Sequence, residues 1–86
     1  MNDAIVRLVV RDKIASGWLP RDRTGAVSAT NGTDERCDAC SAAVSPEEVL
    51  VRVSHAGLRR FAFHATCFAI WRDERNKMTS FRAALD

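Results

Sequence analysis

Two pairs of residues that commonly bind metals constrain the fold of this chain more than any other feature of its sequence. Cys37 and Cys40 are separated by two residues, and His64 and Cys67 repeat that interval further along the chain. In structural sites Zn²⁺ takes four sulfur or imidazole ligands in a tetrahedron, and pairs at this spacing direct two side chains at one ion. The pattern therefore predicts one zinc ion bound by Cys37, Cys40, His64 and Cys67.

The second pair is predicted to open a helix. Residues three apart share a helix face, and the positive end of the helix favours the thiolate of Cys67. Three thiolates, a neutral imidazole and Zn²⁺ sum to a net negative charge, so hydrogen bonds to the ligands and an acceptor for the second ring nitrogen of His64 are expected. Because protein side chains fill all four positions, the zinc is predicted to be structural, and no enzymatic activity is expected.

Other interpretations of these residues fit less well. A C-x-x-C pair also forms thioredoxin-like redox sites, but that motif opens a helix in a βαβ unit, whereas Cys37 and Cys40 lie between a polar loop and a Ser-Pro turn. A nucleophilic cysteine activated by histidine needs a cleft and an oxyanion hole that this chain does not reveal. His55, the competing imidazole, lies in a predicted turn and is interpreted as solvated.

Length, charge and cysteine number set further bounds. The 86 residues suit one domain, 1–86, without room for a second core. A formal charge of +2 is too small to indicate a nucleic-acid partner by itself, and no apolar run approaches the roughly 18 residues of a membrane span. Three cysteines cannot all pair within the chain, and no signal-peptide pattern is recognisable, which favours a reduced, cytoplasmic protein.

Residues 1–36 are predicted to form a helix followed by a loop or linker. An apolar stripe at three- and four-residue spacing predicts an N-terminal helix within 1–18, with Asn2 or Asp3 as its cap and Gly17 at its end. That stripe consists of Ile5, Val6, Val9, Val10 and Ile14. The helix is expected to pack onto the same domain, or to bind a groove or a second copy of the chain. The composition then becomes polar, so 19–36 is predicted to be a loop or linker.

The remaining segment, 37–86, is predicted to form the zinc-binding core. Ser45 to Glu48 carries the pattern of a single helical turn, and alternating apolar residues on both sides of a turn at 54–57 predict a β-hairpin. A second helix follows, with Phe68 and Trp71 on one face and Asn76 as a possible end of its first part. A stripe of Met78, Phe81 and Leu85 extends that face if the helix continues. The predicted fold class is α+β.

The order of C-x-x-C knuckle, β-hairpin and H-x-x-C at a helix start resembles a treble-clef zinc module, and also half of a LIM domain. Together with Leu19-Pro20, Phe63, Phe68 and Trp71 it is similar to a group of small bacterial zinc-binding proteins of unassigned function. The resemblance implies the fold and the metal, and no activity comes with it. The chain departs from the pattern at Ser41, where such modules often have a glycine because the backbone favours a positive φ.

Three functions remain open at this point. A small domain with a closed metal site offers surface and little cavity, which favours a module that binds another protein. A nucleic-acid-binding module is the main alternative, although acidic residues are interspersed with its basic ones. The basic residues in question are Arg21, Arg23, Arg36, Arg59, Arg60, Arg72, Arg75 and Lys77. A redox or metal sensor, acting by thiolate oxidation and loss of zinc, is the third. No membrane partner is expected.

Overall fold

The computed structural model describes the backbone of residues 3–20, 26–55 and 59–85 and the side chains of residues 3–20, 26–54 and 59–77. The predicted α+β class is confirmed, since these residues form two helices and one three-stranded antiparallel sheet. In chain order the elements are α1 (Asp3–Ala15), β1 (Val27–Asn31), β2 (Val49–His55), β3 (Arg59–His64) and α2 (Ala65–Leu85). Neither described helix is long and apolar enough to cross a membrane.

Helix α1 buries one side and exposes the other. Val6, Val10 and Ile14 are buried at the spacing that the sequence predicts. Ile5, which belongs to the predicted stripe, is 55% exposed, because the core-facing side is narrower than that stripe. Gly17 follows the helix with a φ of 87°, a left-handed conformation that glycine adopts at little cost, so the predicted end is confirmed.

Strand β1 lies inside the segment that the sequence predicts as loop or linker, and that part of the prediction is wrong. Residues Val27 to Asn31 pair antiparallel with Asn31 opposite Val49 and Val27 opposite Val53. All five side chains of β1 are exposed, so neither face of the strand is buried. Val27 and Ala29 alternate with Ser28 and Thr30, but this pattern is too short and too weakly apolar to identify a strand within a polar segment. Backbone pairing to β2, rather than burial of its side chains, holds β1 in the sheet.

The predicted hairpin is formed by β2 and β3. Val51 pairs with Phe63 and Val53 with Phe61, and all four side chains are buried on one face of the sheet. Ser54 and His55, which the sequence assigns to the turn, are the last two residues of β2, so that part of the prediction is wrong. The rest of the predicted turn and the side chain of His55 lie outside the described residues. The Ser45 to Glu48 segment forms a single hydrogen-bonded turn, in which the Glu48 N–H donates to the Ser45 carbonyl at 2.9 Å.

Helix α2 covers the buried face of β2 and β3. The fully buried indole ring of Trp71 stacks on Phe63, with ring centroids 5.2 Å apart, and its Nε1–H donates to the carbonyl of Pro20 at 3.1 Å. The helical backbone continues past Asn76, so the predicted break at that residue is wrong. The side chains of Met78, Phe81 and Leu85, like Arg21 and Arg23, lie outside the described residues.

An ionic cluster around one buried carboxylate joins the two helices. Glu74 on α2 is 2% exposed and accepts hydrogen bonds from Arg7 at 3.0 Å and from Arg11 at 2.7 Å, both on α1. Arg7 also donates to Asp73 at 2.6 Å. The two arginines give the buried carboxylate the charged partners that it needs in order to stay ionised away from water.

Candidate metal centre

The structure brings together the four residues that the sequence singles out. The ligand atoms of Cys37, Cys40, His64 and Cys67 all lie within 4.8 Å of one another, a group that can hold a metal ion. Nδ1 of His64 is 3.3 Å from Sγ of Cys40 and 3.9 Å from Sγ of Cys67. For comparison, two ligand atoms of a tetrahedral zinc site are roughly 3.5–3.8 Å apart, given bonds of about 2.0–2.3 Å.

A tight knuckle presents the first two cysteines. The Cys37 N–H donates to the Ala42 carbonyl and the Ser41 N–H donates to the Cys37 carbonyl, while Arg36 and Ala43 form an isolated antiparallel bridge at its base. Ser41 has a φ of 68°, which is the left-handed conformation expected at this position despite the absence of glycine. The serine therefore adopts a conformation that costs a non-glycine residue roughly 1–2 kcal/mol.

The second pair comes from the junction of a strand and a helix. His64 is the last residue of β3, and Cys67 lies in the first turn of α2. The predicted placement in the first turn therefore holds for Cys67, while His64 directly precedes the helix. Because strand and helix join without an intervening loop, the two side chains are positioned by regular backbone on both sides.

One hydrogen bond orients the imidazole of His64. Its Nε2 is 3.1 Å from the carbonyl oxygen of Ala43, an acceptor that calls for a proton on Nε2. In a neutral imidazole with this tautomer, Nδ1 is the nitrogen that can bind a metal ion, and it is the one that lies 3.3 Å from Sγ of Cys40. The acceptor that the sequence predicts for the second ring nitrogen is thus a backbone carbonyl of the knuckle. The carboxylate of Glu48 lies 3.7 Å from the same nitrogen.

The pKa values of the three thiol groups differ, and a bound cation would change them. The pKa of Cys37 falls to about 4 because Cys67 donates a hydrogen bond to its sulfur; burial opposes this shift, and backbone N–H groups, that of Cys40 foremost, reinforce it. The pKa of Cys67 is raised, chiefly because that hydrogen bond to Cys37 stabilises its protonated form, and burial raises it further. Burial also raises the pKa of Cys40. The thiols of Cys40 and Cys67 therefore resist deprotonation beside the Cys37 thiolate. A divalent cation among the three sulfurs would favour the loss of their protons.

The knuckle is attached to the rest of the fold by two residues that sequence reasoning missed. Lys13 on α1 donates to the carbonyls of Asp38 at 2.7 Å and Ala39 at 3.0 Å. Asp38 bonds to Ala62 on β3 through both its backbone and its carboxylate. The sequence gives little sign of these contacts. It shows only that Lys13 is basic and lies in the predicted helix, and that Asp38 is acidic and lies inside the C-x-x-C loop.

Comparison with known proteins yields no match, whether to a family model, to a curated protein or to a solved structure. The chemistry of the centre therefore provides the basis for a function.

Proposed function

We propose that the chain is a structural zinc-binding module, in which one Zn²⁺ is bound by Cys37, Cys40, His64 and Cys67. The convergence of these four ligand atoms within 4.8 Å carries the proposal. Sulfur and imidazole ligands suit zinc, whereas Ca²⁺ and Mg²⁺ require oxygen ligands. Backbone N–H groups directed at the Cys37 sulfur supply the compensation that a centre with net negative charge needs.

The order of elements supports a treble-clef architecture. A knuckle carries the first pair of ligands, a hairpin of β2 and β3 follows, and the second pair lies where β3 meets α2. In this arrangement the metal joins the knuckle to the junction between the sheet and the helix. The zinc is structural rather than catalytic on this proposal, because four protein ligands leave no coordination position for water or substrate.

Elemental analysis of protein purified without added metal tests the proposal. One zinc per chain is expected in the wild type, and Cys40→Ser and His64→Ala should each lower the zinc content. His55→Ala is the matched control and should retain full occupancy. A chain with a Cys37–Cys40 disulfide and no metal, or zinc lost from His55→Ala and retained by His64→Ala, would contradict the assignment.

We further propose that the module acts by binding another protein. Exposed apolar side chains on the outer side of α1 support this role: Leu8 is 63% exposed and Ile5, one turn away, is 55% exposed. Val6, Val10 and Ile14 already fill the inner side of the same helix, so Ile5 and Leu8 are available to the apolar groove of a partner.

A paired pull-down from the native host tests this role. A partner retained by the wild type and by Arg72→Gln, but lost from the double variant Ile5→Glu, Leu8→Glu, supports it, provided that the zinc content is equal in all three. Identical partners for the double variant and the wild type would remove the support. The zinc measurement keeps this outcome separate from failure of the metal site.

A further inference from the structure

The face of the sheet opposite α2 contains a cleft that the sequence does not predict. Its volume is about 520 Å³, within the range of about 300–1,000 Å³ that is typical of small-molecule sites. Small residues, among them Ser28 on β1 and Ala62 on β3, line it. Ser28 and Ala62 are both register partners of Arg52 on the central strand, so the three form one row across the sheet.

Three arginines line this cleft. Arg52 and Arg60 lie on adjacent strands, since Arg52 pairs with Ala62 and Arg60 with Ser54, which makes them diagonal neighbours on one face. Arg36 comes from the base of the knuckle and lines the same cavity. Like charges on neighbouring positions repel one another, and an anion bound among them would relieve that repulsion.

The two acidic residues of the cleft neutralise this charge only in part. Glu35 forms an ion pair with Arg52. The carboxylate of Asp38 accepts the N–H of Ala62 at 2.7 Å and is thereby directed at the backbone. Within the described part of the chain, Arg60 has no ion pair, and Arg36 donates one hydrogen bond, to the Ser41 carbonyl at 3.2 Å.

We propose that this cleft binds a small molecule that carries a phosphate group. A guanidinium group offers five N–H donors in a planar fork that matches the oxygens of a phosphate, and Arg36 and Arg60 retain most of theirs. The hydroxyl group of Ser28, on the strand next to Arg52, also lines the cleft and is a further donor. The limited volume of the cleft, about 520 Å³, favours a compact ligand over an extended strand of nucleic acid.

Phosphate titration of the metal-loaded chain, followed by NMR, tests the inference. Inorganic phosphate is added at constant ionic strength, with chloride as the reference anion. The side-chain Nε–H signals of Arg36, Arg52 and Arg60 should shift and saturate with phosphate and not with chloride. Zinc content is measured in the same samples, so that failure of the cleft is distinguished from loss of the metal centre.

Variants distinguish a specific phosphate site from general attraction of anions to a basic surface. Arg60→Gln should weaken phosphate binding about tenfold, the effect of losing about 1.4 kcal/mol from a charged hydrogen bond. Ser28→Val, which fills the cleft without changing the charge, should also weaken binding. Arg59→Gln is the matched control, because Arg59 is on the same strand but lies over the Phe61 ring and donates to the Trp18 carbonyl.

Two results would overturn the inference. Equal weakening by Arg59→Gln and Arg60→Gln, with no effect of Ser28→Val, would show non-specific attraction of anions. A single-stranded oligonucleotide that binds more tightly than phosphate, shifts signals beyond the cleft and loses affinity log-linearly with salt would replace the small ligand by a nucleic-acid surface.

Discussion

Asp38 and Ala62 exchange two hydrogen bonds across the space between the knuckle and the edge of the sheet. The Asp38 N–H donates to the Ala62 carbonyl at 2.8 Å, and the Ala62 N–H donates to the Asp38 carboxylate at 2.7 Å. The pair satisfies both backbone groups that Ala62 presents at the free edge of β3. It also fixes the position of the knuckle between Cys37 and Cys40.

Removing the carboxylate of Asp38 is expected to destabilise the fold by about 1–3 kcal/mol, the cost of leaving a donor such as the Ala62 N–H unsatisfied. Asp38→Ala should lower the free energy of unfolding measured by denaturant titration and speed amide exchange at Ala62. Asp38→Asn keeps an acceptor oxygen and should retain most of the stability. An effect of Asp38→Ala no larger than that of the exposed control Asp12→Ala would contradict the role of this bond.

Replacing Ser41 by glycine is expected to stabilise the protein. The left-handed φ of 68° costs serine roughly 1–2 kcal/mol, and the extra freedom of glycine in the unfolded chain offsets about 0.4–1 kcal/mol of the gain. A net increase of about 0.5–1 kcal/mol in the free energy of unfolding should follow. Ala42→Gly, at the adjacent position without a positive φ, should be destabilising, and the same sign for both variants would refute the explanation.

The Glu74 cluster predicts a specific dependence of stability on pH. The pKa of Glu74 is lowered, mainly because Arg11 hydrogen-bonds its carboxylate, so its contribution is complete above the pKa of the unfolded chain. That contribution is lost as pH falls below about 4.3 and through the lower pKa of the folded state. Glu74→Gln should cost about 1–3 kcal/mol at pH 7, and the difference from wild type should shrink in acid. A difference that stays constant down to pH 2, or an equal cost for the exposed control Glu47→Gln, would argue against the cluster.

The residues of the candidate metal centre are predictable from the sequence, because cysteine and histidine pairs at this spacing are typical of zinc sites. The hairpin follows in the same way from the alternation around Val51, Val53 and Phe61. Strand β1 does not, since its stability comes from backbone pairing and its side chains are all exposed. The acceptor for His64 is also invisible to sequence reasoning, because it is a backbone carbonyl that any residue at position 43 would supply.

The ionic link between α1 and α2 shows a related limit. Arg11 and Glu74 are brought together by the packing of two helices from opposite ends of the chain, and each residue alone is typical of a solvated helix surface. A buried position for Glu74 follows only from the three-dimensional arrangement. The cleft between Arg36, Arg52 and Arg60 depends in the same way on the register of three strands and on the position of the knuckle.

Metal removal is expected to loosen the whole fold. Structural zinc is worth roughly 10–16 kcal/mol in finger peptides, and a core of this size has only a few kcal/mol to spare. Chelation should reduce the near-ultraviolet circular dichroism of Trp71 and lower the melting temperature, and acid should release zinc and structure together because the ligands take up protons. Unchanged spectra after complete removal of the metal would show that the apolar core suffices.

X-ray absorption at the zinc edge of the protein as purified tests the central claim most directly, because it reports the atoms bound to the metal. The account predicts three sulfur atoms at about 2.3 Å and one nitrogen at about 2.0–2.1 Å, and His64→Ala should lose the nitrogen component. A shell dominated by oxygen, a nitrogen signal that persists in His64→Ala, or protein that contains no zinc would contradict it.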